Sequence, residues 1–324
     1  MSIPKKYKKV FVNVLKLIIA ILSYGFVIYK IYNSPDIKSF GLFFHNISTS
    51  QYLLLTTILI LMIVNWCLES LKWKELMKPI QKIGLSKAFV AVWTGVTIGN
   101  LTPNRIGEFA GRILFLNKEN RKEGTSLTLY GDLAQFIVTL IFGIAGFTIL
   151  SHFFLNETTS TESINNIILI TGITMTVICG LIYFNINNII KFFKKYKFFQ
   201  KVLKNFTPAK NISKKTKILT LTYSILRYLV FTFQFFLALH FFDIKISYTN
   251  AMLALSSIYL AVHVIPNIPF AELGIRVSFS LLFLGIFSTS DTAILFSSVL
   301  IYIINIAIPS LFGGISFIKL KNKT

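Results

Sequence analysis

The sequence has 324 residues, of which 54% are hydrophobic and only 14% are charged. Soluble globular domains carry about 25% charged residues, so this composition excludes that class of protein. The net charge of +21 would suggest a nucleic-acid partner in a soluble protein, but here the lysines lie between apolar blocks. No nucleic-acid-binding motif accompanies them, so we expect a membrane protein that binds no nucleic acid.

The first apolar block, 10–32, follows a short run of lysines, as the apolar region of a signal peptide does. The block is too long for a signal peptide and no small-residue cleavage site follows it, so we predict an uncleaved first helix. Later blocks have the roughly 20 residues that a helix needs to cross ~30 Å of hydrocarbon. They predict five further full spans, at 52–71, 126–151, 164–185, 217–242 and 291–318.

Two other apolar stretches, 86–117 and 249–288, are each interrupted near the middle by proline and polar residues. The first interruption surrounds Pro103 and the second surrounds Pro266. Each arm is marginal in length for a full crossing, so re-entrant helical hairpins are favoured over two full crossings. The predicted fold is therefore an all-α polytopic membrane protein with about six full spans and two re-entrant hairpins. By hydropathy alone, it would count as about eight transmembrane segments.

The charges between the apolar blocks indicate the orientation, because cytoplasmic loops carry an excess of lysine and arginine. Segment 186–216 contains nine lysines and no acid, whereas segment 152–163 contains two glutamates and neither lysine nor arginine. All loops obey this rule if the chain makes two hairpins or two double crossings. We therefore predict a multi-pass protein of the cytoplasmic (inner) membrane, with both termini in the cytoplasm.

In this topology the two hairpins enter the membrane from opposite sides, which divides one membrane domain, 1–324, into halves of opposite direction. The predicted halves are 1–151 and 164–324, joined at 152–163. Inverted repeats are common in secondary transporters, whose sites lie near the midplane where discontinuous helices meet. A transporter-like architecture is therefore expected.

Only five of the 33 basic residues are arginines, and Arg105, Arg112 and Arg276 all lie in the hairpins. A guanidinium is permanently charged and binds carboxylate or phosphate with a planar fork. Asn104 and Asn267 are candidate cap residues of the second arms, whose helix N-termini would point toward the midplane. Together these residues predict a cationic pocket for an anionic head group such as a lipid phosphate.

Each break is also followed by a glutamate four residues before an arginine, at Glu108 and Glu272. These glutamates are candidate counter-ions or proton carriers, but both pairs could equally be i,i+4 ion pairs that only stabilise their helices. Asp132 could pair with a nearby arginine or act in the site. For Glu69, near the end of the second span, a salt bridge and a role in substrate entry both stay open.

Two polar residues of the fifth span, Arg227 and Gln234, lie seven positions apart on one helix face and are expected to face inward. His263 could titrate in the site or simply satisfy a packing contact. The sequence contains no P-loop, no zinc-ligand spacing and no nucleophile elbow. We therefore expect no catalytic residues, no metal and no cofactor.

Two motifs resemble a known family. Residues 65–73, with Asn65, Trp66, Glu69 and Lys72, together with 101–112, resemble the lysylphosphatidylglycerol synthase transmembrane-region family, also called the flippase-like domain family. Residues 265–276 resemble that family's second, proline-containing motif.

The resemblance covers essentially the whole chain and implies a translocase of an anionic lipid or a polyprenyl-phosphate-linked precursor. The composition, rich in lysine, isoleucine and asparagine and poor in alanine, suggests a bacterial source. Well-understood members carry an additional soluble aminoacyltransferase domain. This sequence ends at Thr324, so a stand-alone member without synthase activity is expected. The alternative is a membrane subunit of a lipid-modifying system, with a glycosyl- or aminoacyl-transferring enzyme as partner. A transporter of a small soluble anion is a third hypothesis.

Overall fold

A computed structural model of the chain describes residues 14, 18, 21–30, 32–33, 47–102, 105–154, 159–193, 195, 212–265 and 269–321. Every regular element in these ranges is helical. The prediction of an all-α membrane protein is confirmed.

The helices are numbered here in chain order. The first five are α1 (Ile21–Lys30), α2 (Thr49–Met77), α3 (Leu85–Asn100), α4 (Gly107–Ile113) and α5 (Arg121–Phe154). The remaining helices are α6 (Thr159–Phe193), α7 (Lys214–Phe241), α8 (Tyr248–Val264), α9 (Pro269–Leu284), α10 (Asp291–Tyr302) and α11 (Ile308–Lys321). A π-helical turn, Ile303–Ala307, joins α10 to α11 without a break in the helical path.

Five of the six predicted full spans are present as helices long and apolar enough to cross a membrane. They are Thr49–Met77, Lys118–Phe153, Asn165–Ile186, Lys214–Phe241 and Asp291–Ile318. The sixth predicted span, 10–32, overlaps the shorter apolar helix α1, and most of its first half lies outside the described residues. The chain is therefore a multi-pass membrane protein.

Serine side chains define where several of these helices begin. Ser48 and Gln51 form a reciprocal capping box at the start of α2, in which the Ser48 amide donates to Gln51 Oε1 at 2.8 Å. Ser213 and Ser247 accept from the third backbone amides of α7 and α8 at 3.1 and 3.3 Å. Ser290 caps α10 in the same way at 3.4 Å. Such caps satisfy amides that have no partner within the helix.

The two proline-interrupted stretches each form a pair of helices packed against each other, α3 with α4 and α8 with α9. The α4 helix has only seven residues. At 1.5 Å per residue it is about 10 Å long, far short of the ~30 Å needed for a crossing. The first stretch therefore does not consist of two spanning helices, and its re-entrant placement in the membrane stays a prediction.

A close contact between glycines brings the two arms of the first hairpin together. A Cβ atom on Gly111 would lie 2.6 Å from the Gly95 Cα atom and 2.8 Å from the Thr94 carbonyl oxygen. Only glycine at position 111 allows the α4 backbone to approach α3 this closely. At the turn between the arms, Arg105 has a positive φ of 54°, a conformation that L-residues rarely adopt.

The remaining helices pack around these hairpins. α2 runs along α7, α5 packs on α8, and α11 packs on α3. At one end of the bundle, the Lys30 ammonium pairs with Asp291 at 3.0 Å and joins α1 to the start of α10. α6 packs mainly on α5 and is the least buried of the spans. The predicted division into inverted halves, 1–151 and 164–324, stays a prediction.

Cysteine accessibility tests the predicted topology. After Cys67→Ser and Cys179→Ser, single cysteines are placed at Leu101, Lys122 or Thr289 and treated with a membrane-impermeant maleimide on intact spheroplasts. We expect labelling at 289 only, because 122 faces the cytoplasm and 101 lies at a hairpin tip inside the hydrocarbon. Labelling at 101 from outside would show a full double crossing, and labelling at 122 would reverse the orientation.

The glycine contact gives a second prediction. Gly111→Val places side-chain atoms into the α3 backbone, so we expect a large loss of folded protein after detergent extraction, judged by size-exclusion chromatography. Gly180→Val is the matched control, since an added Cβ at position 180 meets nothing within 4 Å. Equal yields of the two variants would contradict the tight packing of the hairpin.

Candidate functional site

The carboxylate of Glu69 lies at the centre of a buried ion-pair cluster. Its side chain is completely buried in α2 and contacts three cations at 2.7 Å each. Lys72 comes from the same helix, Arg112 from α4 and Arg227 from α7. One carboxylate therefore fixes three helices relative to one another.

Both predicted glutamate–arginine pairs are present, and in each pair one residue also contacts a charged residue outside the pair. Arg112 Nη2 donates to Glu108 while its Nη1 atom donates to Glu69. In the second hairpin, Arg276 Nη2 lies 2.9 Å from Glu272 Oε1. The pairs therefore belong to a larger network and do more than stabilise their own helix turns.

Arg105 connects the two hairpins. Its Nε atom lies 3.7 Å from Glu108 Oε2 in the first hairpin, and its Nη1 atom lies 3.5 Å from Glu272 Oε1 in the second. Both contacts are longer than the contacts of Glu69. The link between the hairpins is therefore the weakest part of the network.

A cavity of about 700 Å³ opens beside this network. Its polar lining consists of the four arginines of the network and three carboxylates, and its apolar lining of aromatic and aliphatic side chains. The charged lining residues are Arg105, Arg112, Arg227, Arg276, Glu108, Asp132 and Glu272. The aromatic ones include Phe136, Tyr228, Phe231 and Tyr259. The cavity is therefore strongly amphipathic.

The charged residues differ in how they face this cavity. Arg112 and Glu272 are almost fully buried, with side-chain exposures of 3% and 2%. Arg105, Arg227 and Arg276 keep between 21% and 27% of their side-chain surface accessible. The three partly exposed arginines are therefore the ones available to a ligand, and Arg112 mainly holds the network together.

Of three other predicted site residues, the structure describes Asp132 alone. Asp132 lines the cavity and interacts electrostatically with Arg112, one of the two arginines predicted to pair with it. No ion pair within 4 Å joins Asp132 to a residue that the structure describes, and its role in the site stays a prediction. Asn104 and Asn267, the predicted cap residues, lie outside the described residues.

Arg227 is a site residue whose importance the sequence analysis underestimated. Its Nε atom donates to Asn65 Oδ1 at 3.1 Å, and its Nη1 atom donates to Glu69. The guanidinium carbon lies 5.2 Å from the centre of the Trp66 ring, within cation–π distance. These contacts fix the orientation of the guanidinium at the cavity wall.

A chain of buried amides holds Asn65 in turn. Asn65 Nδ2 donates to Asn305 Oδ1 at 3.4 Å, and Asn305 Nδ2 donates to Gln234 Oε1 at 3.0 Å. Gln234 Nε2 then donates to the carbonyl of Ile58 at 2.9 Å, which fixes the direction of the whole chain.

Asn305 lies in the π-helical turn, a feature frequent at functional sites. Asn305 was not predicted as a site residue. A lone carboxamide in an otherwise apolar span could have indicated it.

Several donors at the site make no hydrogen bond to the described residues. They are the indole Nε1 of Trp66 and the Nε atoms of Arg112 and Arg105, of which the last has only the 3.7 Å ion-pair contact with Glu108. All three residues line the cavity. Buried donors without a partner are costly, so they favour a ligand rich in acceptor oxygens. Within the described ranges, no group of three or more His, Cys, Asp or Glu side chains is placed to hold a metal ion.

The family model described as "Lysylphosphatidylglycerol synthase TM region" matches residues 13–313, nearly the whole chain. No curated protein matches the sequence.

The position of Glu69 generates a stability prediction. Glu69→Gln removes the shared counter-charge of three cations, and breaking a buried ion pair costs about 3–5 kcal/mol. We expect a large fall in the thermal midpoint in detergent, followed by intrinsic tryptophan fluorescence.

Glu75→Gln on the same helix is the matched control. Glu75 only pairs with Lys78 at 3.7 Å near the surface, a contact worth about 0–1 kcal/mol. Similar midpoints for the two variants would show that Glu69 does not hold the cluster together.

Proposed function

The chain belongs to the lysylphosphatidylglycerol synthase TM region family, and from that premise we propose that it translocates an anionic lipid, or an anionic lipid-linked precursor, across its membrane. The observation that carries the proposal is the amphipathic cavity beside the two hairpins. The charged side chains that line the cavity suit a head group, and the aromatic side chains that line it suit hydrocarbon.

The arginines that line the cavity support the recognition of phosphate. Arg105 lies in the turn between α3 and α4, Arg227 on α7 and Arg276 on α9, and all three line the same cavity. Arginine binds phosphate with paired N–H donors and stays charged in poorly hydrated surroundings. Charged side chains inside a membrane are expensive and usually mark a substrate pathway. A cluster of this size therefore supports a functional role beyond helix stability.

The apolar side supports a ligand with hydrocarbon chains. Phe136 on α5, Phe231 on α7 and Val262 on α8 line the same cavity as the arginines. A small soluble anion would leave this surface without a partner. The aromatic wall therefore favours a lipid over the third hypothesis, a soluble anion.

The ion pairs suggest how movement could follow binding. A phosphate that approaches Arg105 and Arg276 competes with Glu272, which both arginines contact. Exchange of one anion for the other releases the long 3.5 Å contact between the hairpins. Glu108 and Glu272 then act as internal counter-ions that pair with the arginines when the lipid leaves. Hairpins that separate in this way provide alternating access to a fixed site.

The orientation is part of the proposal. The lysine distribution favours the cytoplasmic (inner) membrane of a bacterium, with both termini inside. The lipid would then move between the cytoplasmic and outer leaflets of that membrane, and the chain itself would carry out no covalent chemistry.

A second candidate follows from the family description, which names the membrane region of a synthase. In that case the chain would be the membrane subunit of a lipid-modifying system and would present lipid to a partner enzyme. Co-purification with a glycosyl- or aminoacyl-transferring enzyme, and modified lipid formed only when both are present, would support it.

Transport is tested with purified protein in proteoliposomes that contain a phosphatidylglycerol labelled on one acyl chain with a dithionite-sensitive fluorophore. We expect protein-dependent loss of protected fluorescence. Arg276→Gln and Arg227→Gln should each slow this loss by about tenfold or more, because a hydrogen bond to a charged group contributes roughly 1.5–3 kcal/mol.

Arg121→Gln is the matched control, since within the described ranges Arg121 donates only to the carbonyls of Leu116 and Leu114, at 3.3 and 3.5 Å, and it does not line the cavity. We expect Arg121→Gln to flip lipid at the wild-type rate. Wild-type rates for both cavity variants would refute the proposal, as would the absence of flipping by folded wild-type protein for every anionic lipid tested.

A further inference from the structure

The cavity has an uneven charge balance. Four arginines and three carboxylates line it among the described residues, which leaves a net charge of +1. Lys72 and Glu69 lie behind Arg112 and cancel each other. Asn104 and Asn267, in the two hairpin breaks, carry no formal charge. The described lining therefore carries one positive charge in excess.

We propose that this cavity selects a lipid with a single negative charge, namely a phosphodiester with a compact, uncharged head group. It would disfavour both diphosphate-linked lipids and aminoacylated lipids with a net positive charge. This proposal rests on the proposed function only in taking the cavity as a lipid head-group site.

The charge argument follows from the low polarity of the surroundings. Charges interact far more strongly in a membrane protein interior than in water, and an uncompensated charge there is costly. A monoanionic phosphodiester brings the site to neutrality. A diphosphate would leave a net negative charge, and a net cationic lipid would raise the positive charge to +2.

A buried donor beside an accessible arginine fits the same ligand. The Nε1 atom of Trp66 has no hydrogen-bond partner among the described residues, and Trp66 is more than nine-tenths buried. Trp66 lines the cavity, with the partly exposed guanidinium of Arg227 5.2 Å from the centre of its ring. The indole N–H and the guanidinium together offer donors to the acceptor oxygens of a phosphate group.

The volume limits the head group. Cavities of about 300–1,000 Å³ hold ligands of drug size. At about 700 Å³, this cavity accommodates a phosphate with a small polyol and part of a chain. A large oligosaccharide or peptide head group exceeds it.

Asp132 is one of the three carboxylates that bring the net charge of the described lining to +1. It lines the cavity and interacts electrostatically with Arg112 and Lys72, with no ion pair within 4 Å among the described residues. Asp132→Asn keeps the shape of the side chain and raises the net charge to +2. The substitution should therefore change which lipid is preferred.

Binding is measured by native mass spectrometry of the full chain in detergent, with four probes at equal concentration. The probes are phosphatidylglycerol, lysyl-phosphatidylglycerol, undecaprenyl diphosphate and the deacylated glycerophosphoglycerol. We expect phosphatidylglycerol to bind at least about tenfold more tightly than each of the other three. In Asp132→Asn, the affinity for undecaprenyl diphosphate should rise by about tenfold relative to that for phosphatidylglycerol.

Two results would overturn the proposal. One is equal or tighter binding of lysyl-phosphatidylglycerol or undecaprenyl diphosphate to the wild-type chain. The other is equal binding of glycerophosphoglycerol, which would point to a soluble phosphodiester instead of a lipid. If Asp132→Asn does not fold, judged by its thermal midpoint, the wild-type series alone decides.

The outcome is separable from that of the proposed function because no transport is measured here. Selective binding without flipping in proteoliposomes would refute the translocase and keep the selectivity. Flipping without this selectivity would support the translocase and refute the proposed charge selectivity.

Discussion

The buried carboxylate of Glu69 is the interaction on which the rest of the site depends. Lys72, Arg112 and Arg227 all contact it at 2.7 Å, from three different helices. Three guanidinium and ammonium groups at membrane depth would repel one another without this shared anion. Because Glu69 holds Arg112, it also holds the short helix α4, which is too short to be anchored by spanning the membrane.

From Glu69 the network extends in two directions with different strengths. Toward α7 and the π-helical turn, buried amides of Asn65 and Asn305 fix Arg227 through directional hydrogen bonds. Toward the second hairpin, Arg105 makes only long contacts with Glu108 and Glu272. One side of the cavity wall is therefore held firmly, and the junction between the hairpins is the side that yields most easily. Such a combination suits a site that must both recognise a ligand and move.

Buried ion pairs are poor sources of stability, because desolvation offsets much of the attraction between the charges. A protein that needed only stable helices would place apolar residues where Arg105 and Glu272 meet. Retention of these charges beside an aromatic cavity is better explained by an exchangeable anion than by packing alone. The same reasoning gives Asp132 a role, since a carboxylate without an ion pair among the described residues adjusts the charge that a ligand meets.

The positions of the helices could be read from the sequence, because the length of an apolar block and the position of prolines are local properties. Five spans and both interrupted stretches were predicted to within eight residues of their observed bounds. The Glu108–Arg112 and Glu272–Arg276 pairs were also predictable, since residues four apart share a helix face.

Only the tertiary structure decided which groups meet across helices. Glu69 lies 43 residues from Arg112 and 158 from Arg227. Asn305 lies 240 residues from Asn65. No spacing rule links positions so far apart, because their contact depends on helix packing and on the close approach of Gly95 and Gly111. Hydropathy reports how apolar a segment is, and the packing of the helices decides which of its few polar side chains face the cavity.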